Sequence, residues 1–197
     1  MKKNLSKLLI FGLFLFVVLG CGVFNKIKKE IESTQAPQTL ISTDGKCQIT
    51  VPGNWKKQTD LHDEATLQAG YLMGELYVIV LPETKQSFGS SVDIDYVTRA
   101  VREGLGGTVT GLVLSEPVPT IINGLPARQF EASGEVEKLK VTYLYAVVDA
   151  PQNYYQVITW TLTPRFQNNK GKLQEVISSF KETGGNSELP PPALKRK

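Results

Sequence analysis

Val141-Thr-Tyr-Leu-Tyr-Ala-Val-Val148 and Tyr154-Tyr-Gln-Val-Ile-Thr-Trp-Thr-Leu162 decide how this chain folds. Successive strand residues point to opposite faces, so a strand with one wet face is apolar only at every second position. In both stretches the two alternating sets are largely apolar or aromatic, and so they are in Leu76-Tyr-Val-Ile-Val-Leu81. Strands of this kind are covered on both faces, and a sheet built from them needs a further layer on each side.

Two segments can supply those layers. Ser90 precedes Asp93 by three residues in a weak capping box, and Ile94, Val97, Val101 and Leu105 follow at helical spacing with Ala100 beside them. Gly104, Gly106 and Gly107 then stop the helix. A second helix, capped by Asn168 or Asn169, carries Leu173, Val176, Ile177 and Phe180 on one stripe. Further strands are expected at Cys47–Val51, in a hairpin of Ala65–Leu72 and Glu75–Leu81, and at 108–115, 125–133, 136–149 and 153–163. Pro and Gly punctuate these runs, and short turns between consecutive strands imply antiparallel pairing. The expected fold is α+β, an antiparallel β-sheet sandwiched between helices in an α/β/α arrangement, over residues 39–183. Residues 184–197 contain Pro190-Pro191-Pro192 and are expected to form a disordered tail.

Upstream of the domain, residues 1–20 read MKKNLSKLLIFGLFLFVVLG. A basic start, an apolar run from Leu8 to Leu19 and a small residue follow the order of a secretory signal. Val18-Leu19-Gly20-Cys21 resembles the lipobox of bacterial lipoproteins, in which the cysteine thiol is joined to diacylglycerol and the chain is cut before it. Leu19 departs mildly from that pattern, where a small residue is commoner. The rival reading is an uncleaved transmembrane helix: the seventeen uncharged residues from Leu8 to Phe24 meet only the lower limit for crossing a bilayer core of ~30 Å. Cys21 is therefore the expected lipidation site. Residues 21–38 form the lipidated start and a linker, and the stretch from 22 to 38 reaches at most ~55 Å when extended. Gly22 stands where an Asp often retains lipoproteins at the inner membrane, which leans towards the outer membrane.

The chain carries 22 Lys and Arg against 19 Asp and Glu, but loss of Lys2, Lys3 and Lys7 with the signal leaves 19 against 19. A neutral mature chain lacks the one-sign field of a nucleic-acid binder, so no nucleic-acid partner is expected. With Cys21 acylated, Cys47 has no partner within the chain.

Asp44-Gly45, followed by Ile49-Thr50-Val51-Pro52-Gly53-Asn54-Trp55, is similar to the opening strand, turn and tryptophan of the PsbP-like superfamily. That superfamily includes extrinsic photosystem II subunits and DcrB-like bacterial lipoproteins. Ile122-Asn123-Gly124-Leu125-Pro126-Ala127 resembles its mid-domain turn, and Leu173 to Phe180 its closing helix. The resemblance spans most of residues 40–182. It implies the α/β/α sandwich and proteins that bind or help assemble other proteins, usually without catalysis. Photosystem subunits of this type use acidic and histidine side chains near metal, but no position here matches theirs, so no metal site is carried over.

The chemistry-bearing residues are few. His62, the only histidine, sits in the polar stretch Leu61-His-Asp-Glu64, read as an exposed loop. Cys47 lies on the inward face of its strand and reads as a core residue. Asp93 and Asp95 read as acids complementing the helix dipole. No HExxH, CxxC, P-loop or dinucleotide signature occurs. Tyr143, Tyr145, Tyr154, Tyr155 and Trp160 form the best candidate for a binding surface, with a core role as the plainer alternative. The expectation is a lipid-anchored, non-catalytic protein without cofactors in the bacterial envelope, or at the thylakoid if cyanobacterial. It binds or helps assemble a protein complex; the alternative is a small-ligand or lipid carrier with a pocket beside the aromatic strands.

Overall fold

A computed structural model describes residues 36–88 and 92–184. The expected signal, Cys21, the linker up to residue 35, the Ser90 cap and the tail from 185 lie outside the described residues. Gln38–Val51 and the described residues from Trp55 to Gly184 form one compact unit.

That unit is built on antiparallel sheets. Eleven strands are described: β1 Gln38–Ile41, β2 Cys47–Val51, β3 Lys56–Lys57, β4 Leu67–Tyr71, β5 Leu76–Thr84, β6 Thr110–Leu114, β7 Val118–Ile122, β8 Leu125–Val136, β9 Leu139–Asp149, β10 Asn153–Leu162 and β11 Lys181–Glu182. Helix α1 spans Ile94–Leu105 and α2 spans Thr163–Ser178. The large sheet has the order β3-β4-β5-β10-β9-β8-β6, with β7 also paired to β8. A small sheet, β1-β2-β11, lies apart from it in the pairing. β10 is inserted between β5 and β9 and pairs with both along nearly its whole length, which joins the β3–β5 group to the β8–β9 hairpin.

The alternation along β9 and β10 sorts the core into two clusters. Leu144, Ala146, Val148, Tyr155 and Val157 pack with Phe166, Leu173, Val176 and Ile177 of α2. Tyr145, Val147, Tyr154 and Ile158 pack with Ile94 and Val97 of α1. Trp55, Cys47 and Phe180 join the α2 cluster and are fully buried. The inward placement of Cys47 thus follows the period-two reading of its strand.

Local chemistry sets the boundaries. At the start of α1 the Asp93 carboxylate accepts the Tyr96 N–H at 2.8 Å, so Asp93 is the cap. Asp95 does more than complement the dipole: both its oxygens accept from Arg128 on β8, at 2.6 and 3.0 Å, tying α1 to the sheet. Asn123 and Gly124 have φ of 47° and 84°, the left-handed pair that a two-residue hairpin needs between β7 and β8. The Asn123 amide donates to Ser178 O at 3.0 Å and Phe180 O at 2.7 Å, so the turn also closes the end of α2.

Several elements differ from expectation. α2 begins at Thr163, with Pro164 in its first turn, five residues before Asn168. Pro suits that position because its missing N–H would be unpaired anyway, while the polar run Gln167 to Lys172 hides the helical period. Phe180 lies just past the helix, buried against Tyr155 with ring centroids 4.9 Å apart. β1, β3, β7 and β11 were not anticipated; β1, β3 and β11 are too short and polar to show a period, and β7 follows β6 after only Ser115-Glu-Pro117.

Burial pushes the Cys47 thiol up from its ordinary value of 9.0 to about 11. A raised value favours the neutral thiol in the folded state. Its contribution to stability is therefore complete below the unfolded value near 9 and is lost as pH rises towards 11. Urea midpoints should decline across that window in the wild type and less in Cys47→Ala, and at pH 8 Cys47 should react with thiol reagents only as fast as the domain unfolds. Rapid labelling of the native protein would place the thiol at the surface.

Candidate functional site

On the α1 side the sheet carries a run of rings. Tyr77 of β5 stacks on Trp160 of β10 at 5.3 Å, and Trp160 meets Tyr143 of β9 at 5.9 Å. Tyr143 touches Tyr145 at 5.9 Å, and Tyr145 stacks on Phe130 of β8 at 5.0 Å with the planes 6° apart. Register makes this run: Trp160 faces Tyr77 on one neighbour and Tyr143 on the other, and Tyr145 faces Phe130. Gly70 stands opposite Tyr77, where any Cβ would come within 2.7 Å of the ring.

Helix α1 covers only part of this face. Between its last two turns and the aromatic floor lies a cleft of about 460 Å³, within the ~300–1,000 Å³ common for small-molecule sites. Tyr143, Tyr145, Ile158 and Trp160 form the floor, Ala100, Val101, Gly104 and Leu105 the roof, and Leu61 and His62 part of the rim. None of the lining residues is an Asp, Glu, Lys or Arg. Burial raises the phenol pKa of Tyr145, and less strongly that of Tyr143, so both stay neutral donors at physiological pH.

The rim is held by one buried side chain. Gln68 of β4 accepts the Leu61 and His62 N–H groups at 2.8 and 3.1 Å, and its amide donates to His62 O at 2.8 Å. An isolated buried amide is costly; here both ends are used, and the loop is fixed beside the cleft.

The five aromatic candidates do not share one surface. Tyr143, Tyr145 and Trp160 line the cleft. Tyr154 is on the same face but packs edge-on against Phe88, lies under Lys85, and donates its hydroxyl to Val92 O at 2.9 Å. Tyr155 faces the α2 cluster, and its hydroxyl lies 3.2 Å from Glu182. Adjacent strand residues point to opposite faces, so Tyr154 and Tyr155 could not have lined one pocket. Sequence reasoning missed Tyr77, Phe130, Gln68 and Gly104; only the pairing of β5 with β10, distant in sequence, brings Tyr77 to Trp160.

Cys47 and His62 do not come together as a catalytic pair. Cys47 belongs to the α2 cluster while His62 lines the α1-side cleft. His62 Nδ1 accepts the Glu64 N–H at 3.2 Å, so it does not donate to an orienting carboxylate as a triad histidine would. Among the described residues no three His, Cys, Asp or Glu side chains gather where they could hold a metal ion, and no helix is long and apolar enough to cross a membrane.

Cyanobacterial PsbP from Synechocystis sp. PCC 6803 superposes with a TM-score of 0.55 over 76% of this chain and 94% of its own, at 14% identity. The domain has a PsbP-like fold. LpqN of Mycobacterium tuberculosis, described as involved in cell envelope biogenesis, shares the PsbP-like arrangement at a TM-score of 0.52, 12% identity, and 76% and 85% coverage. The Ran-binding protein Mog1p of Saccharomyces cerevisiae does so at 0.50, 12% identity, and 76% and 96% coverage. At these identities the likeness is one of fold. No family model and no curated protein sequence matches the chain.

Gln68→Met keeps the bulk of the side chain but leaves the Leu61 and His62 N–H groups without partners, while His62 O keeps the Ala65 N–H. It should cost about 1–3 kcal/mol in denaturant unfolding and speed amide exchange at Leu61 and His62. A loss below ~0.5 kcal/mol, the usual range for surface changes, would show that the rim is held by something else.

Proposed function

We propose that this protein is a membrane-anchored lipoprotein whose domain is a non-catalytic binding module, assisting the assembly of a protein complex in the bacterial envelope or thylakoid. The signal-like residues 1–20 and Cys21 support acylation and cleavage before the cysteine, and two or three acyl chains anchor stably where one would not. Placement of the two helices in separate core clusters supports reading the domain as an α/β/α sandwich.

One observation carries the protein-binding reading. The outer edge of the large sheet, formed by β6 and β7, exposes Val113, Val118 and Ile121 by more than 60% each. Each of these strands pairs only with β8. Its other backbone edge can receive an extended segment of a partner, with apolar side chains alongside. The likeness in fold to Mog1p, a Ran-binding protein, agrees with such a role. A linker-held domain experiences an effective partner concentration of around mM, so a modest interface suffices at the membrane. The cleft favours a second reading, a carrier for a small uncharged ligand or lipid.

A photo-crosslinking residue at Ile121 of the full chain should capture a membrane-associated protein. Cys21→Ser should block acylation and processing and remove both the crosslink and complementation of a deletion strain, and an unrelated transmembrane anchor should restore both. Full function from unanchored protein, or no crosslink from this edge, would contradict the proposal.

A further inference from the structure

The cleft combines features that point to one class of ligand, and the inference rests on the second reading above. Its lining holds no Asp, Glu, Lys or Arg. Moving a charged group into such a site without a partner is expensive, so the enclosed part of a ligand must be neutral. Most of the lining is apolar, from Ile79 and Leu81 on the floor to Val101 and Leu105 on the roof.

Some polar side chains of the lining make no hydrogen bond among the described residues, whereas His62 and Thr108 are used by the fold. Tyr145 is 95% buried and lines the cleft. No described protein group makes a hydrogen bond to its hydroxyl, although Tyr154 and Tyr155 on neighbouring positions both use theirs. The side chain of Gln156, two residues from Ile158 on the same face, likewise lines the cleft without a protein hydrogen bond. Both groups face the open cleft, and neither is among the sealed, unpaired side-chain groups of the described residues. A neutral donor and a neutral amide set into an apolar wall suit an oxygen of an otherwise apolar molecule. The roof leaves room: a Cβ on Gly104 would meet no atom within 4 Å.

We propose that the cleft binds the apolar chain of an uncharged lipid, with an ester or hydroxyl oxygen of that lipid received by Tyr145 and Gln156. The apolar run before Cys21 gives the occupant a source. A domain tethered at that cysteine stays within a linker's length of a bilayer, where such molecules are concentrated and from which one chain can be drawn into the cleft.

The two tryptophans make the test direct. Trp160 is in the floor of the cleft, whereas Trp55 is fully buried in the α2 cluster. The full chain, reconstituted in egg phosphatidylcholine vesicles, is titrated with a monoacylglycerol brominated in mid-chain, a contact quencher of indole fluorescence. Saturable quenching is expected, and Trp160→Phe should remove it. Gly104→Phe fills the roof with a residue of better helix propensity than glycine; it should weaken binding at least about ten-fold, equivalent to ~1.4 kcal/mol. Tyr145→Phe keeps the stack on Phe130 and removes only the hydroxyl, so it should weaken binding about five-fold, the factor of a typical net hydrogen bond. That second variant keeps the test decisive if Gly104→Phe disturbs the fold. Absence of saturable quenching, or equal quenching in wild type, Gly104→Phe and Tyr145→Phe, overturns the lipid site. Loss of quenching with the Ile121 crosslink intact would remove this inference alone and leave the protein-binding reading standing.

Discussion

Everything in this domain follows from two central strands that cannot face water on either side. β9 and β10 bury residues of both parities, so each face of the sheet must be covered. The cover is unequal. α2 has sixteen residues and follows β10 without a loop, which lays it directly across the sheet, and Phe180 and Trp55 complete that side. α1 has twelve residues, about 18 Å at 1.5 Å per residue, and leaves the far part of the opposite face to aromatic rings. Rings can sit at a partly covered surface because they combine large apolar area with polar tips. The cleft is the consequence of that unequal cover.

The electrostatics match the geometry. Charges near α1 are spent on fastening it: Asp93 caps the helix, and Asp95 meets Arg128 in a two-pronged pair. Lys85 and Asp149 pair beside Tyr154, whose hydroxyl bonds Val92 O just before that helix. No Asp, Glu, Lys or Arg faces the cleft, and burial pushes the phenol pKa values there further up. The sheet edge at β6 and β7 offers a separate surface, apolar and open to strand pairing. On the proposed reading, a tethered protein of this kind would have one edge for a partner and one cleft for a chain.

Much of the fold was legible in the residues. The double apolar parity of 141–148 and 154–162 demanded two covering layers, and the stripe Ile94, Val97, Val101, Leu105 marked α1. The antiparallel sheet followed from the short turns, and the Asn123-Gly124 turn from the family resemblance. The start of α2 was hidden because Gln167 to Lys172 carries no apolar residue, and β11 because two residues cannot show a period. The candidate site was legible only in part. Tyr143, Tyr145 and Trp160 were visible as aromatics on strands, but parity alone already separates Tyr154 from Tyr155. Tyr77 and Gln68 depend on which strands pair, and pairing between β5 and β10 across about 70 residues of chain leaves no local trace. The loop around His62 read as exposed, and its ring is; that its backbone is pinned by Gln68 beside a cleft is a tertiary fact.

The unequal covering of the two faces is the central claim, and collisional quenching with acrylamide tests it most directly. In Trp160→Phe the remaining fluorescence comes from Trp55, sealed on the α2 side, and acrylamide should scarcely affect it. The wild type should show an additional, readily quenched component from Trp160 in the open cleft. Equal shielding of both indoles would mean that α1 seals its face as α2 does, and equal quenching of both would mean that neither face is closed.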